Sequence, residues 1–328
     1  MSESRSTRRR RDRENHRGGS AAAVERSPSV RVAAVGNSDR RPAPRPGAPR
    51  WIVGLAAAVV VLIVAVMVLV RVGGLGRGLA DARQPVSPTV ERALTSVPAA
   101  VANQIGQGSV TALPVRVTAP VLRDARGRPR IIYIGAEYCP YCAAQRWALI
   151  VALSRFGTFS NLSTARSAAD DVYPLTPTFT FYGAHYQSDR VSFEAVELQS
   201  STRVGGQYQT LETPTAEQNA LLARYDAPPY VTPASAGAIP FLDIANQFVI
   251  TGSSFSPEVL VGRSWDQIAA SLANPASDQA RGIVGAANVI TAAICRTTDD
   301  QPAAVCGQPA IVRIEQTLAG LTAPAAGG

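Results

Sequence analysis

One stretch constrains this chain more than any other: Arg130 to Gly157, RIIYIGAEYCPYCAAQRWALIVALSRFG. Ile131, Ile132, Tyr133 and Ile134 form a short apolar, β-branched run, the pattern of a strand buried on both faces. Gly135 ends it, and Cys139-Pro140-Tyr141-Cys142 follows. Apolar residues then recur at helical spacing through Ala144, Trp147, Ala148 and Val151, with Gly157 as the stop. Pro140 suits a first helical position, where no amide hydrogen is needed. The reading is strand, tight turn, helix, with Cys139 at the helix N-terminus and Cys142 one turn inside. Unpaired amides and the positive end of the helix dipole stabilise a thiolate there. Cys139 is therefore read as the attacking thiol and Cys142 as the resolving one. Glu137 and Tyr141 flank them as supporting residues.

Three other uses of such a pair stand beside this one. They are half of a zinc site, a structural disulfide, and a copper pair completed by His185. Zinc asks for a second Cys or His pair at ligand spacing. The chain has only two histidines and four cysteines, and the other two cysteines, Cys295 and Cys306, lie far along the sequence. No metal and no cofactor is expected.

The segment GAEYCPYC after an apolar strand resembles the active-site segment of the thioredoxin superfamily, and Cys-Pro-Tyr-Cys is the tetrad of glutaredoxins. The longer string YIGAEYCPYCAAQRWAL is similar to a family of membrane-anchored thioredoxin-like proteins whose domain is one of unknown function. The resemblance spans Ser96 to the C-terminus. It implies an α/β thioredoxin-like fold and a redox-active disulfide. It also implies that the Ile239–Pro240 bond, opening the apolar strand Pro240 to Ile244, is cis and faces the cysteines, with both residues in a substrate groove. The chain departs from the superfamily at Tyr133, where the resemblance implies a buried aspartate. Glu137 is the nearest carboxylate in sequence.

Residues 1–50 carry thirteen arginines against five acids, a balance of +8 that equals the formal charge of the whole chain. All 32 basic residues are arginine. Such a segment buries no core and is expected to be disordered and cytoplasmic. Trp51 to Val70 is an uncharged apolar run long enough to cross a bilayer as one helix, and the arginine bias puts the C-terminal part outside the cytoplasm. Boundaries follow: tail 1–50, transmembrane helix 51–71, linker 72–95, thioredoxin-like domain 96–274, and a C-terminal helical extension 275–328.

Within the domain, Leu113 to Leu122 reads as an edge strand and Thr158 to Pro177 as irregular. Thr178–Tyr186 and Val191–Gln199 read as a hairpin joined by a polar turn. Thr215 and Gln218 form a capping box for a helix through Tyr225, and Ser264 with Gln267 caps another. Phe248 to Thr251 gives the last strand. Two helices, Ser277–Ile294 and Ile311–Leu321, complete the chain. About a hundred residues separate Cys139 from Pro240. That interval holds an insertion between the Cys-x-x-Cys helix and the proline strand, of a kind that covers an active site and restricts substrates. Cys295 and Cys306 suit a structural disulfide in an oxidising compartment, closing a short loop for about 3 kcal/mol.

Two functions from different classes fit this reading. One is a membrane-anchored, extracytoplasmic thiol–disulfide oxidoreductase acting on protein thiols or disulfides, served by a membrane redox partner. The other is a thioredoxin-fold binding or assembly module without redox turnover. Nucleic acid is not an expected partner.

Overall fold

The computed structural model describes residues 83–324. The Arg-rich tail, the apolar span 51–71 and the start of the linker lie outside the described residues. Among the described residues no helix is long and apolar enough to cross a membrane.

The architecture is mixed α/β. The central sheet has five strands: β1 (Val115–Arg116), β2 (Arg130–Gly135), β7 (Ser192–Glu197), β10 (Phe241–Ile244) and β11 (Phe248–Thr251). Their order across the sheet is β1-β11-β10-β2-β7. β2 and β7 are parallel, with Tyr133 opposite Ala195 and Gly135 opposite Glu197. β10 runs antiparallel to β2, and β11 to β10. β2 is an interior strand, and it is apolar because it is covered on both faces. Its residues alternate between them: Ile131 and Tyr133 join one core cluster, Ile132 and Ile134 the other.

The first face is covered by α3 (Pro140–Leu153) and α6 (Asp278–Cys295). Both are apolar nearly all round, as buried helices are. α6 packs along α3 and belongs to the same core as the sheet. It also meets the Gln107–Gly108 turn so closely that a Cβ on Gly285 would lie 2.4 Å from the Gln107 carbonyl. The second face is covered by α4 (Ala216–Tyr225), opened by the expected capping box of Thr215 and Gln218.

Several expectations are corrected. The linker to residue 95 already contains α1 (Pro88–Thr95), capped by Ser87 and anchored in the core by Val90 and Leu94. A second helix, α2 (Ala99–Ile105), follows and ends at Gly106. α3 ends at Leu153, a turn before Gly157. Thr158 to Pro177 is not irregular: β3 (Thr158–Ser160) and β4 (Ser163–Arg166) lie within it. Thr178–Tyr186 is not one strand, because a turn at Tyr182 to Ala184, with Gly183 at φ 77°, cuts it into β5 (Pro177–Thr180) and β6 (His185–Gln187). β5 pairs with β4 and β6 with β3, while β7 leaves for the central sheet, so the expected hairpin does not form. β8 (Gln199–Val204) and β9 (Gln207–Thr210) make a hairpin instead. Its turn is Gly205–Gly206 with φ of 61° and 87°, a two-glycine signal for such a turn.

Past the sheet lie α5 (Trp265–Ser271), with the expected Ser264–Gln267 box, then α7 (Ala303–Cys306) and α8 (Pro309–Ala319). A disulfide joins Cys295, the last residue of α6, to Cys306. β5 is fastened to α3 by two bonds: the Trp147 indole donates to the Pro177 carbonyl at 2.9 Å, and the Thr178 hydroxyl to the Ala143 carbonyl at 2.9 Å.

Candidate functional site

The sequence places Cys139 where β2 ends and α3 begins, and the structure makes it the N-cap of α3 with Pro140 at the first helical position. Its sulfur accepts a hydrogen bond from the Cys142 backbone N–H at 3.2 Å. An N-cap side chain commonly does this with oxygen; here sulfur takes the place of oxygen, so the cap itself favours the charged thiolate. Cys139 is 6% exposed and Cys142 is fully buried. Both thiols are free. The Cys139 thiol is held below the usual thiol range by its hydrogen bond with Cys142, reinforced by the Cys142 amide and the Arg146 charge, against the opposing effect of burial. Burial pushes the Cys142 thiol well up, and Cys139 adds to that. The two thiols are thus driven apart, one toward thiolate and one toward thiol.

The remaining sequence-derived residues surround this pair. The Ile239–Pro240 bond is cis, and the Cys139 sulfur lies 3.7 Å from the Ile239 carbonyl oxygen. That contact brings together residues a hundred positions apart. Pro140 is buried, while Tyr141 is 41% exposed with its ring edge-on to Tyr173. Glu137 is not an open carboxylate beside the thiols. It is buried and held by the Arg83 guanidinium through two bonds of 3.1 and 3.2 Å.

The turn before Cys139 is pinned from two sides. The Glu137 N–H donates to the Gln199 carbonyl at 2.8 Å, and the Ala168 N–H donates to the Tyr138 carbonyl at 2.8 Å. Tyr138 stacks face to face on Tyr208 of β9, with ring centres 4.2 Å apart. Arg203 lies over the Tyr208 ring and pairs with Asp170. The β8–β9 hairpin and the segment after β4 therefore roof the turn that leads into Cys139.

Beneath them lies what the sequence reading missed. Arg146, one turn beyond Cys142 on α3, and Glu197, at the end of β7, form a wholly buried ion pair with bonds of 2.7 and 2.6 Å. Burial raises the Glu197 carboxyl, and Arg146 with the Phe181 amide opposes that rise. Burial acts to lower Arg146, but Glu197 overrides it and holds the guanidinium well above its usual range. The signal was present in the sequence: one charge inside an otherwise apolar buried helix needs a buried partner. Among the described residues no group of three or more His, Cys, Asp or Glu side chains is gathered as a metal site would require. His185 lies exposed on β6.

A family model described as a domain of unknown function, DUF929, matches residues 123–296. The chain belongs to the DUF929 family. The matched DUF929 region starts just before β2 and ends just after α6, so it holds both free cysteines, Arg146, Glu197 and Pro240. Cys306 falls outside it, so one half of the disulfide lies beyond the DUF929 match. No curated protein and no solved structure matches the chain.

Proposed function

We propose that this chain is a thiol–disulfide oxidoreductase with a thioredoxin-like fold, acting on protein disulfides or thiols through Cys139 and Cys142. The observation that carries the reading is the Cys139 cap: a sulfur at a helix N-terminus, bonded to the Cys142 amide, with its partner thiol buried one turn behind. The β11-β10-β2-β7 order with β2 and β7 parallel, and the cis Ile239–Pro240 bond beside Cys139, support the fold assignment.

The chemistry is exchange by two displacements. The Cys139 thiolate attacks one sulfur of a substrate disulfide, forms a mixed disulfide and expels the other substrate sulfur as a thiolate. Cys142 then loses its proton and attacks the Cys139 sulfur, closing the Cys139–Cys142 disulfide and expelling the second substrate thiolate. The substrate gains two electrons and the chain loses them; the Cys142 proton goes to one expelled thiolate and the other takes its proton from water. A dithiol donor reverses the change on the chain, and the same steps run backwards oxidise a dithiol substrate.

The apolar span 51–71 would tether this domain to the membrane with the catalytic part outside the cytoplasm. The Cys295–Cys306 disulfide supports that placement, because oxidising compartments keep such bonds. Its natural counterparts are extracytoplasmic protein thiols or disulfides and a membrane redox partner.

A second reading, a binding module without turnover, is favoured by one observation: Cys139 is only 6% exposed. Expression of Cys142→Ala in cells separates the two. The oxidoreductase should accumulate mixed disulfides that vanish with Cys139→Ser. Absence of any Cys139-dependent adduct, with Cys139 and Cys142 alkylating at equal rates, would sink the redox reading.

A further inference from the structure

The buried Arg146–Glu197 pair has no evident task in holding the fold. Two desolvated charges rarely stabilise more than an apolar pair of the same size, and both sit at full burial. Their placement relative to the thiols is specific. Arg146 follows Cys142 by four residues on α3, so the two share a helix face. Glu197 stands opposite Gly135 in the parallel β2–β7 register, at the strand ends that feed the cysteine turn. Its side chain accepts from the Arg146 Nε and Nη2 and also from the Phe181 N–H at 3.2 Å, so it is clamped.

The guanidinium is not fully used. Its Nη1 is buried without a partner. Tyr133 lies under it, the guanidinium carbon 5.9 Å from the ring centre, and the Tyr133 hydroxyl is also buried without a partner. That hydroxyl points along β2 toward the turn: a Cβ on Gly135 would lie 2.2 Å from it, so only glycine leaves it room. Two orphaned donors, one cationic, therefore lie together at the start of the turn that leads to the cysteines.

We propose that Arg146 is a positioning residue for thiol chemistry: its cation, fixed by Glu197 and backed by Tyr133, stabilises negative charge on the cysteine sulfurs as it develops. The inference rests on the redox reading above, since stabilised negative charge on sulfur has a use only where the thiols exchange. An unpaired buried guanidinium donor has value when an anion forms beside it and is a cost otherwise. The charged and titratable groups around the thiols are few. Arg146 comes from α3, Tyr133 from β2 and Glu197 from β7. Tyr138 and the Glu137–Arg83 pair belong to the turn, and Tyr208 with Arg203 and Asp170 to the roof. Of these, Arg146 acts to lower both thiols.

The test is the pH dependence of Cys139 alkylation in the reduced protein, read by mass spectrometry on the full chain, which needs no substrate and no turnover. Glu197→Gln keeps the shape and, with its amide oxygen in the Oε1 position, the bonds from the Arg146 Nε and the Phe181 N–H, but it gives up the Nη2 bond and the counter-charge. It should shift the Cys139 profile to lower pH, with a few-fold more thiolate at pH 6. Arg146→Met with Glu197→Leu replaces the pair by apolar groups of similar size. It should shift the profile the other way by about one pH unit, a tenfold loss of reactivity at pH 6. Arg146→Lys should restore most of that loss. Opposite shifts from the two kinds of variant support the role. If folded Glu197→Gln leaves the profile where it was, or both kinds move it in the same direction, the pair is structural and the proposal fails. Absence of exchange activity with these shifts intact would count against the redox reading and not against the assignment of Arg146.

Discussion

The molecule holds two cysteine pairs at opposite ends of two packed helices, and they have opposite chemistry. Cys139 opens α3, where unpaired amides and the positive end of the dipole face the sulfur. Cys295 closes α6, at the negative end of the helix dipole, where a thiolate would be disfavoured. The first pair is free, with one thiol lowered and the other raised; the second is joined and buried. Cysteine identity decides little here. The end of the helix on which a sulfur sits sets which charge state its surroundings favour.

The largest expected effect is a complete one. Cys139→Ser should abolish thiol exchange with a model disulfide, whereas Cys295→Ala with Cys306→Ala should leave it near the wild-type rate. Loss of exchange in that double variant, with its fold intact by circular dichroism, would turn the second pair from a staple into an electron relay. Next in size is the contrast inside the first pair. In the mildly reduced protein Cys139 should alkylate at least about a hundredfold faster than Cys142 at neutral pH, because the thiolate is the reactive form and the two thiols are shifted in opposite directions.

Stability provides the third contrast. Opening the Cys295–Cys306 link, eleven positions apart in sequence, should cost about 3 kcal/mol in denaturant unfolding. Reducing Cys139 and Cys142 should instead make stability depend on pH. Cys139 is lowered, so between its folded value and the ordinary thiol value the folded protein binds fewer protons than the unfolded chain. Stability there rises with pH and is lost as pH falls through the folded value. Cys142 is raised, so above the ordinary thiol value the folded state keeps a proton the unfolded chain has shed, and stability falls as pH rises further. Cys142→Ala should remove that second loss, measured as the denaturation midpoint from pH 6 to 10.

The smallest effect concerns the roof. Tyr208→Ala removes the ring stacked on Tyr138, a contact worth about 1 kcal/mol, and should speed Cys139 alkylation a few-fold. The buried Cys295–Cys306 bond lies at the C-terminal end of α6, so its rate of reduction should not change.

Much of this was legible in the sequence because it is local. β2, its glycine stop, Pro140 inside α3, both capping boxes and the apolar periodicity of α6 each depend on neighbours within a few positions. The α1 helix was hidden behind a proline-rich entry that resembles a linker, although Ser87-Pro88 is itself a helix start. The β8–β9 hairpin was legible at Gly205–Gly206 and overlooked among polar residues. Thr178–Tyr186 misled because a strand run carries no record of its partner, and the Gly183 turn sends its halves to different strands.

What the sequence alone determined is the cysteine end of α3: a strand, a turn and a proline-opened helix suffice to put Cys139 at an N-terminus and Cys142 behind it. What tertiary structure decided is the surroundings of those sulfurs. Glu137 was nearest in the chain, yet Arg83 occupies it, 54 positions away. Glu197 reaches Arg146 across 51 positions only because β7 runs parallel to β2 in the register that sets it opposite Gly135. Ile239 reaches Cys139 because β10 lies on the other side of β2. Helix ends arise from short-range hydrogen bonding, whereas the charges and carbonyls around a buried sulfur are set by strand order and register, which are properties of the whole sheet.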